Sequence, residues 1–389
     1  MFYVGIDIAK FKHDCFICSD TGEIICENLT FKNNLEGFNQ LLSTLNSLDD
    51  YESIRIGFES TGHYALNLKL FLEKAHYSFM EFNPVLLSKF IHSQTLRKTK
   101  SDAIDSASIA RYLMTVEYKP STIGFYHMYS LKSLTRLRSS LIRQRSFYLV
   151  KITNVLDHTF PEFKPFFNNK FSKTALYLLT YYGSASKIAS MKHTSYDKLR
   201  RVSRGKFTIA KFFELKSLAI NTVGVSNAIF DLELSSLLNL YQNLCSEIKL
   251  LEEQINELVS SLNCPTLTIP GIGSSSAAII ISEFGDISRF KSADSMLSFA
   301  GLEPAYYQSG ESEYTGHMVK RGSSNLRYAL MTVCIPLIKH NIVFAAYYNK
   351  KRLEGKSHRV ALSHVAKKLI RIIYTLETRN ITFDPEKIC

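Results

Sequence analysis

No apolar run in this chain is long enough to cross a bilayer. The longest, such as Val333 to Ile338, fall far short of the ~20 residues a spanning helix needs. The first residues, Met1-Phe2-Tyr3-Val4-Gly5-Ile6-Asp7, lack the basic region and cleavage site of a signal peptide, so none is expected. The seven cysteines are odd in number and widely scattered, which argues against a disulfide framework. Cys15 and Cys18 form a CxxC, but no second Cys/His pair follows at zinc-site spacing. They read as strand residues of a protein in a reducing cytosol. Tryptophan is absent too, and its absence excludes nothing. The most informative gap is in charge. From Lys119 to Asn154 there is no acidic residue, while Lys119, Lys132, Arg136, Arg138, Arg143, Arg145 and Lys151 add seven positive charges.

What is present describes a globular protein. With 389 residues, 46% of them hydrophobic and 21% charged, the chain should fold as two or three domains with a sizeable core. A net charge of +12 favours a polyanionic partner. A membrane surface is the other candidate, but no basic amphipathic anchor stands out.

The first third alternates in a definite order. Residues 2–9 read as a strand with Phe2, Val4, Ile6 and Ile8 on one face and Tyr3, Gly5 and Asp7 on the other. Strands over 14–19 and 24–31 follow, then a helix marked by Leu35, Phe38, Leu41, Leu42 and Leu45. A strand at 53–58 ends in Glu59-Ser60-Thr61-Gly62. Next come a helix over 64–75, a strand over 77–82, and a basic helical stretch after Asn83-Pro84. The order β-β-β-α-β-α-β-α is that of a ribonuclease H-like fold.

The acids fall where that fold needs them. Asp7 is on the first strand, Glu59 ends the fourth, and Asp102 and Asp105 share one face of the helix after the fifth. Carboxylates converging on one point repel each other unless a divalent cation, Mg²⁺ or Mn²⁺, neutralises them. Arg97, Lys98 and Lys100 just before them, with Lys89 further back, could hold phosphate. The plainer reading is that Ser101 caps a helix whose N-terminal dipole favours the two Asp residues.

In the middle third, Leu131, Leu134, Leu137, Leu141 and Tyr148 give the acid-free stretch helical spacing. Arg136, Arg138, Arg143 and Arg145 would then form a nucleic-acid surface; a solvated charged face is the alternative. Residues 155–230 read as short helices with exposed loops, and include the basic cluster Lys198 to Lys206. Leu234, Leu237, Tyr241, Leu244, Ile248, Leu251, Ile255 and Leu258 then form a heptad seam. It predicts a coiled coil joining copies of the chain into a dimer or tetramer, or a long helix packed antiparallel to residues 130–155 of its own chain.

In the last third, Ile269-Pro270-Gly271-Ile272-Gly273 leads into an apolar helix. Gly271 and Gly273 fit a helix-hairpin-helix turn whose backbone N–H groups can hold a DNA phosphate, with a plain tight turn as the rival. Beyond Gly301-Leu302-Glu303-Pro304, the glycines and serines predict flexible loops. Lys320, Arg321 and Arg327 supply charge for phosphates there. Ser309, Ser312, Ser323 and Ser324 look alike on composition, so no nucleophile stands out.

Taken together, the motifs resemble the DEDD-type transposases of bacterial insertion sequences, the insertion sequence 110 family. Gly5 to Lys10, Phe58-Glu59-Ser60-Thr61-Gly62 and Lys100 to Asp105 look like its RuvC-like domain. Ile269 to Gly273, Phe299-Ala300-Gly301-Leu302, and Lys320-Arg321-Gly322 through Arg327 look like its C-terminal transposase domain. The likeness is weakest at 155–230. It implies a RuvC-like DEDD domain over 1–125, a helical and coiled-coil region over 126–262, and a mainly α transposase domain over 263–389.

The resemblance further implies an RNA-guided DNA recombinase of the bacterial cytoplasm, associated with the nucleoid. A structured bridge RNA from the element would pair with double-stranded donor and target DNA. A serine, Ser309 by its position after the Gly-Leu-x-Pro segment, would form a covalent bond to DNA. Asp7, Glu59, Asp102 and Asp105 would hold Mg²⁺ or Mn²⁺. Two rival readings stand beside it: a metal-only nuclease of the Holliday-junction resolvase kind, and a non-catalytic nucleic-acid-binding relic.

Overall fold

The computed structural model describes residues 1–48, 51–59, 63–94, 101–120, 125–169, 171–309, 312–320 and 322–387. The chain divides into two compact units, Met1–His127 and Met128–Cys389.

The first unit contains β1 (Phe2–Ile8), β2 (Lys12–Ser19), β3 (Ile24–Lys32), α1 (Leu35–Asn46), β4 (Ile54–Glu59), α2 (Leu66–Lys74), β5 (Phe79–Phe82), α3 (Pro84–Gln94) and α4 (Asp102–Thr115). The sheet order is β3-β2-β1-β4-β5. β1 pairs antiparallel with β2 and parallel with β4. This mixed α/β arrangement fits the ribonuclease H-like fold.

Alternation along β1 divides the sheet into two faces. Val4, Ile6 and Ile8 point into a core with Phe38, Leu41 and Leu45 of α1 and Leu68 and Leu72 of α2. On the opposite face α4 lies against β1. A Cβ on Gly5 would come within 2.2 Å of the Ser106 carbonyl oxygen and 2.4 Å of the Ala110 nitrogen, so only glycine admits the helix. Gly57, opposite Gly5 on β4, would meet the Phe82 ring at 2.7 Å and the Leu113 side chain at 3.2 Å. The pair of glycines forms a seat for α4. Cys15 packs in the α1/α2 core and Cys18 on the α4 face, so the CxxC does not converge on a metal.

The second unit is mainly helical. In order it holds α5 (Phe125–Thr159, which begins just before the division), α6 (Phe163–Phe166), α7 (Lys173–Tyr181), α8 (Ala185–Ala189), α9 (His193–Val202), α10 (Ile209–Ile220) and α11 (Ala228–Ser260). α12 (Ser274–Phe284), α13 (Ala293–Ala300), β6 (Pro304–Ser309), β7 (Ser312–Met318), α14 (Ser324–His340), α15 (Ile342–Leu353) and α16 (His358–Arg379) complete it. The expected loop after Gly301-Leu302-Glu303-Pro304 is instead an antiparallel hairpin of β6 and β7.

The heptad seam is covered within the chain. Ile255 and Val259 pack with Leu131 of α5 and Ala278 of α12. Leu234 and Leu238 pack with Ile152, Val155 and Leu156 at the other end of α5. The two long helices therefore run antiparallel and bury both ends of the seam, while Tyr241, Leu244 and Leu251 in its middle are half-buried. The phase also shifts at its ends: Leu238 and Val259 are buried where Leu237 and Leu258 were expected. Apolar burial at these positions outweighs the strict three-four count.

Among the described residues no single helix is long and apolar enough to cross a membrane. α14 and α15 together pass on composition, but they meet at 106°. Leu326, Leu330, Val333 and Leu337 of α14 are buried in the unit's own core.

Candidate functional site

The four acids gather on the α4 face of the first unit. Asp7 is two residues beyond Gly5, and Glu59 two beyond Gly57, so strand alternation puts both on the face the glycines clear. Ser101 caps α4 by accepting the Ile104 N–H at 3.3 Å, as the plainer reading expects. The same cap sets Asp102 and Asp105 in the first turn of α4, the turn before the Ser106 and Ala110 backbone that lies over Gly5. The two readings of this segment are therefore compatible.

The electrostatics report the convergence. The Asp7 carboxyl is pushed up to about 6, first by burial and then by the negative charges of Asp105, Asp102, Glu59 and Asp14. Hard carboxylate oxygens from three elements are a donor set suited to Mg²⁺ or Mn²⁺. Among the described residues, no three Asp, Glu, His or Cys side chains stand close enough together to hold a metal ion between them. What these residues share is an electrostatic field at Asp7.

Sequence reasoning missed Asp14. It is buried on β2 directly opposite Asp7, accepts a hydrogen bond from Thr30 Oγ1, and is 3.1 Å from Lys12 Nζ. The same ammonium is 3.0 Å from Asp102. The signal was available: β1 and β2 form a hairpin, and pairing Ile8 with His13 puts Asp7 opposite Asp14.

The other expected residues separate into groups. Arg97, Lys98, Lys100 and Arg321 lie outside the described residues. Arg136 makes two hydrogen bonds, 2.7 and 3.0 Å, to Glu283 of α12. Glu283 is almost fully buried. Burial pushes its carboxyl up, but the Arg136 hydrogen bonds and the charges of Lys132 and Arg136 bring it below its ordinary value. Arg138 pairs with Glu252 of α11. Both arginines thus tie α5 to its neighbours, a structural task the charge count did not reveal. Arg143 is exposed and Arg145 half-buried.

Gly271 has φ +100°, and a Cβ there would come within 3.0 Å of the α14 backbone, which explains the glycine by packing. Gly273 opens the N-terminus of α12 with space around it. Lys320 is exposed, and Arg327 donates to the Gly322 carbonyl. Ser309 is the last residue of β6, paired with Ser312 at the hairpin tip.

A second basic surface also went unread. Lys350, Arg352, Lys356 and Arg359 are exposed around the α15–α16 turn. Behind them His364 is held below its ordinary pKa by burial and by Lys367, Lys351 and Lys356. The run from Lys350 to Arg359, with Glu354 as its single acid, was the available signal.

Comparison with known proteins agrees with this arrangement. Residues 4–161 match the DEDD transposase model of the IS110 family, and residues 266–349 match the transposase model of the IS116/IS110/IS902 family. The chain belongs to the IS110/IS116/IS902 transposase family. It is a DNA transposase or recombinase, and its DEDD domain implies divalent-metal dependence. The pilin gene-inverting protein of Moraxella bovis is similar at 24% identity, over 98% of this chain and 97% of that protein. An insertion element IS116 protein of Streptomyces clavuligerus is 23% identical over 98% and 96%. The transposase for insertion sequence element IS1328 of Yersinia enterocolitica is 29% identical over 37% of this chain and 44% of its own. The two family models leave residues 162–265 unmatched, a stretch that includes the short helices α6 to α10.

Proposed function

We propose that this transposase is an RNA-guided DNA recombinase that breaks and rejoins strands through a covalent serine–DNA link. The observation that carries the acid half is the convergence on Asp7 of the charges of Asp105, Asp102 and Glu59. Asp7, Glu59, Asp102 and Asp105 would hold a divalent ion, Mg²⁺ or Mn²⁺, which when bound polarises the scissile phosphate. Ser309 supplies the nucleophile. Its Oγ–P bond forms as a P–O bond of the DNA breaks, and the hydroxyl proton passes to the departing oxygen. Rejoining reverses that exchange with a different strand end. Arg143, Lys320 and Arg327, with Gly273 at the N-terminus of α12, would hold phosphate backbone, while base pairing with the element's RNA reads sequence. The guide RNA rests on the family resemblance. Ser309 rests on its place at the β6–β7 tip after Gly301-Leu302-Glu303-Pro304. The similarity to a gene-inverting protein supports inversion as well as insertion among the outcomes.

One observation favours a second reading. Asp7, Glu59, Asp102 and Asp105 all belong to the first unit, which is what a metal-dependent nuclease using water would need. Trapping on a denaturing gel separates the two, using labelled donor DNA, the element's RNA and Mg²⁺. A covalent adduct present in wild type and absent in Ser309→Ala supports the serine recombinase. Cleavage without adduct, unchanged in that variant, replaces it with the nuclease. Asp102→Ala should abolish cleavage in either case while leaving nucleic-acid binding largely intact.

A further inference from the structure

We propose that Lys12 is a resident cation of the carboxylate cluster, anchored by Asp14, and that it competes with the divalent ion for Asp102. The inference rests on the metal-site reading above and adds to it a residue that sets metal affinity.

The geometry is asymmetric. Lys12 Nζ lies 3.1 Å from Asp14 and 3.0 Å from Asp102, but the two carboxylates differ in surroundings. The Asp14 side chain is 5% exposed and that of Asp102 is 56% exposed. A carboxylate removed from water must be paired, so Asp14 needs its cation; a solvated one gains little from the same contact. Thr30, opposite Asp14 on β3, fixes the anchor by donating to Asp14 Oδ1. Lys12 is two residues before Asp14 on one strand, hence on the same face, at the end of β2 beside the α4 N-terminus.

Asp14 thus keeps the ammonium within reach of the acids whether or not Lys12 touches Asp102. A divalent ion held by Asp102 would share that carboxylate with Lys12, and its charge would repel the ammonium. Lys12 must give up Asp102 while staying on Asp14. The cluster therefore carries a built-in positive charge that lowers self-repulsion between the acids and weakens divalent binding.

The test measures Mn²⁺ binding by the full-length protein without nucleic acid, using electron paramagnetic resonance at low ionic strength. Lys12→Met should tighten binding by about three- to tenfold, the range for removing one screened charge a few ångströms away. Because Lys12→Met leaves Asp14 buried and unpaired, a second variant combines Lys12→Met with Asp14→Asn; it should bind Mn²⁺ more tightly than Asp14→Asn alone. Lys10→Met makes the same charge change beside the site, where Lys10 lies over the Phe11 ring, and should have little effect. In an Asp102→Asn background the gain from Lys12→Met should disappear. Unchanged affinity in both Lys12 variants, or an equal gain in Lys10→Met, would overturn the proposal while leaving the metal site standing. Failure of wild type to bind Mn²⁺ any better than Asp102→Asn would instead remove the metal reading itself.

Discussion

Glu283 and His13 show how little a residue's type says about its task. Glu283 is a buried carboxylate whose charge is met by Arg136 and Lys132. Arg136→Ala should therefore destabilise the second unit, by about 1–3 kcal/mol, since Lys132 remains and Arg136 is half exposed. Urea denaturation reads this directly. An unchanged midpoint would return Arg136 to the role of a solvated cation. His13 is fully buried, its ring 5.2 Å from that of Phe31 and 6.0 Å from that of Phe38. Neither ring nitrogen has a hydrogen-bond partner; Asn33 lies near without the geometry of a bond. Burial lowers its pKa below 6.5, and Asn33 and Asp14 offset only part of this. A base with a depressed folded pKa gives its full stability above 6.5 and loses it as pH falls through the folded value. Acidification from pH 7.5 to 5.5 should lower the melting temperature of wild type, and His13→Phe should lose much of that sensitivity. An equal drop in both proteins would mean other groups carry it.

At the scale of elements, most of the first unit was legible because period-two alternation and helical spacing are strong in it. The strands around Val4, Ile6 and Ile8 and the helix after Asn34 fall where the pattern put them. What alternation could not say is why Gly5 and Gly57 are glycines. That depends on α4 lying across them, a helix far along the chain from either strand. Asp14 was hidden for a related reason: an acid in a strand reads as a solvated residue until its cross-strand neighbour is named. The prediction at this scale is that Gly5→Ala, which leaves every carboxylate in place, displaces α4. It should cost about 1–3 kcal/mol by overpacking against backbone and abolish cleavage. Thermal melting and strand cleavage measured together check it. Full cleavage by a stable Gly5→Ala protein would show that the α4 approach is not what assembles the acids.

For the whole molecule, a net charge of +12 was readable at once, but its division of labour was not. Arg136 and Arg138 are committed to Glu283 and Glu252 inside the second unit, so reversing them would confound binding with stability. Among the described residues, the exposed cations that remain for a polyanion include Arg143 on α5, Lys320, and Lys350, Lys356 and Arg359 at the α15–α16 turn. Counterion release makes the contribution of such residues measurable. Each phosphate that a variant no longer neutralises should flatten the slope of log affinity against log salt by about 0.9 on duplex DNA. Lys350→Gln, Lys356→Gln and Arg359→Gln combined should therefore flatten the slope by between one and three such steps, with the melting temperature held. Arg143→Gln should add at most one more. A slope that stays the same in the triple variant would make the α15–α16 turn an ordinary solvated face and leave nucleic-acid binding to the other basic residues.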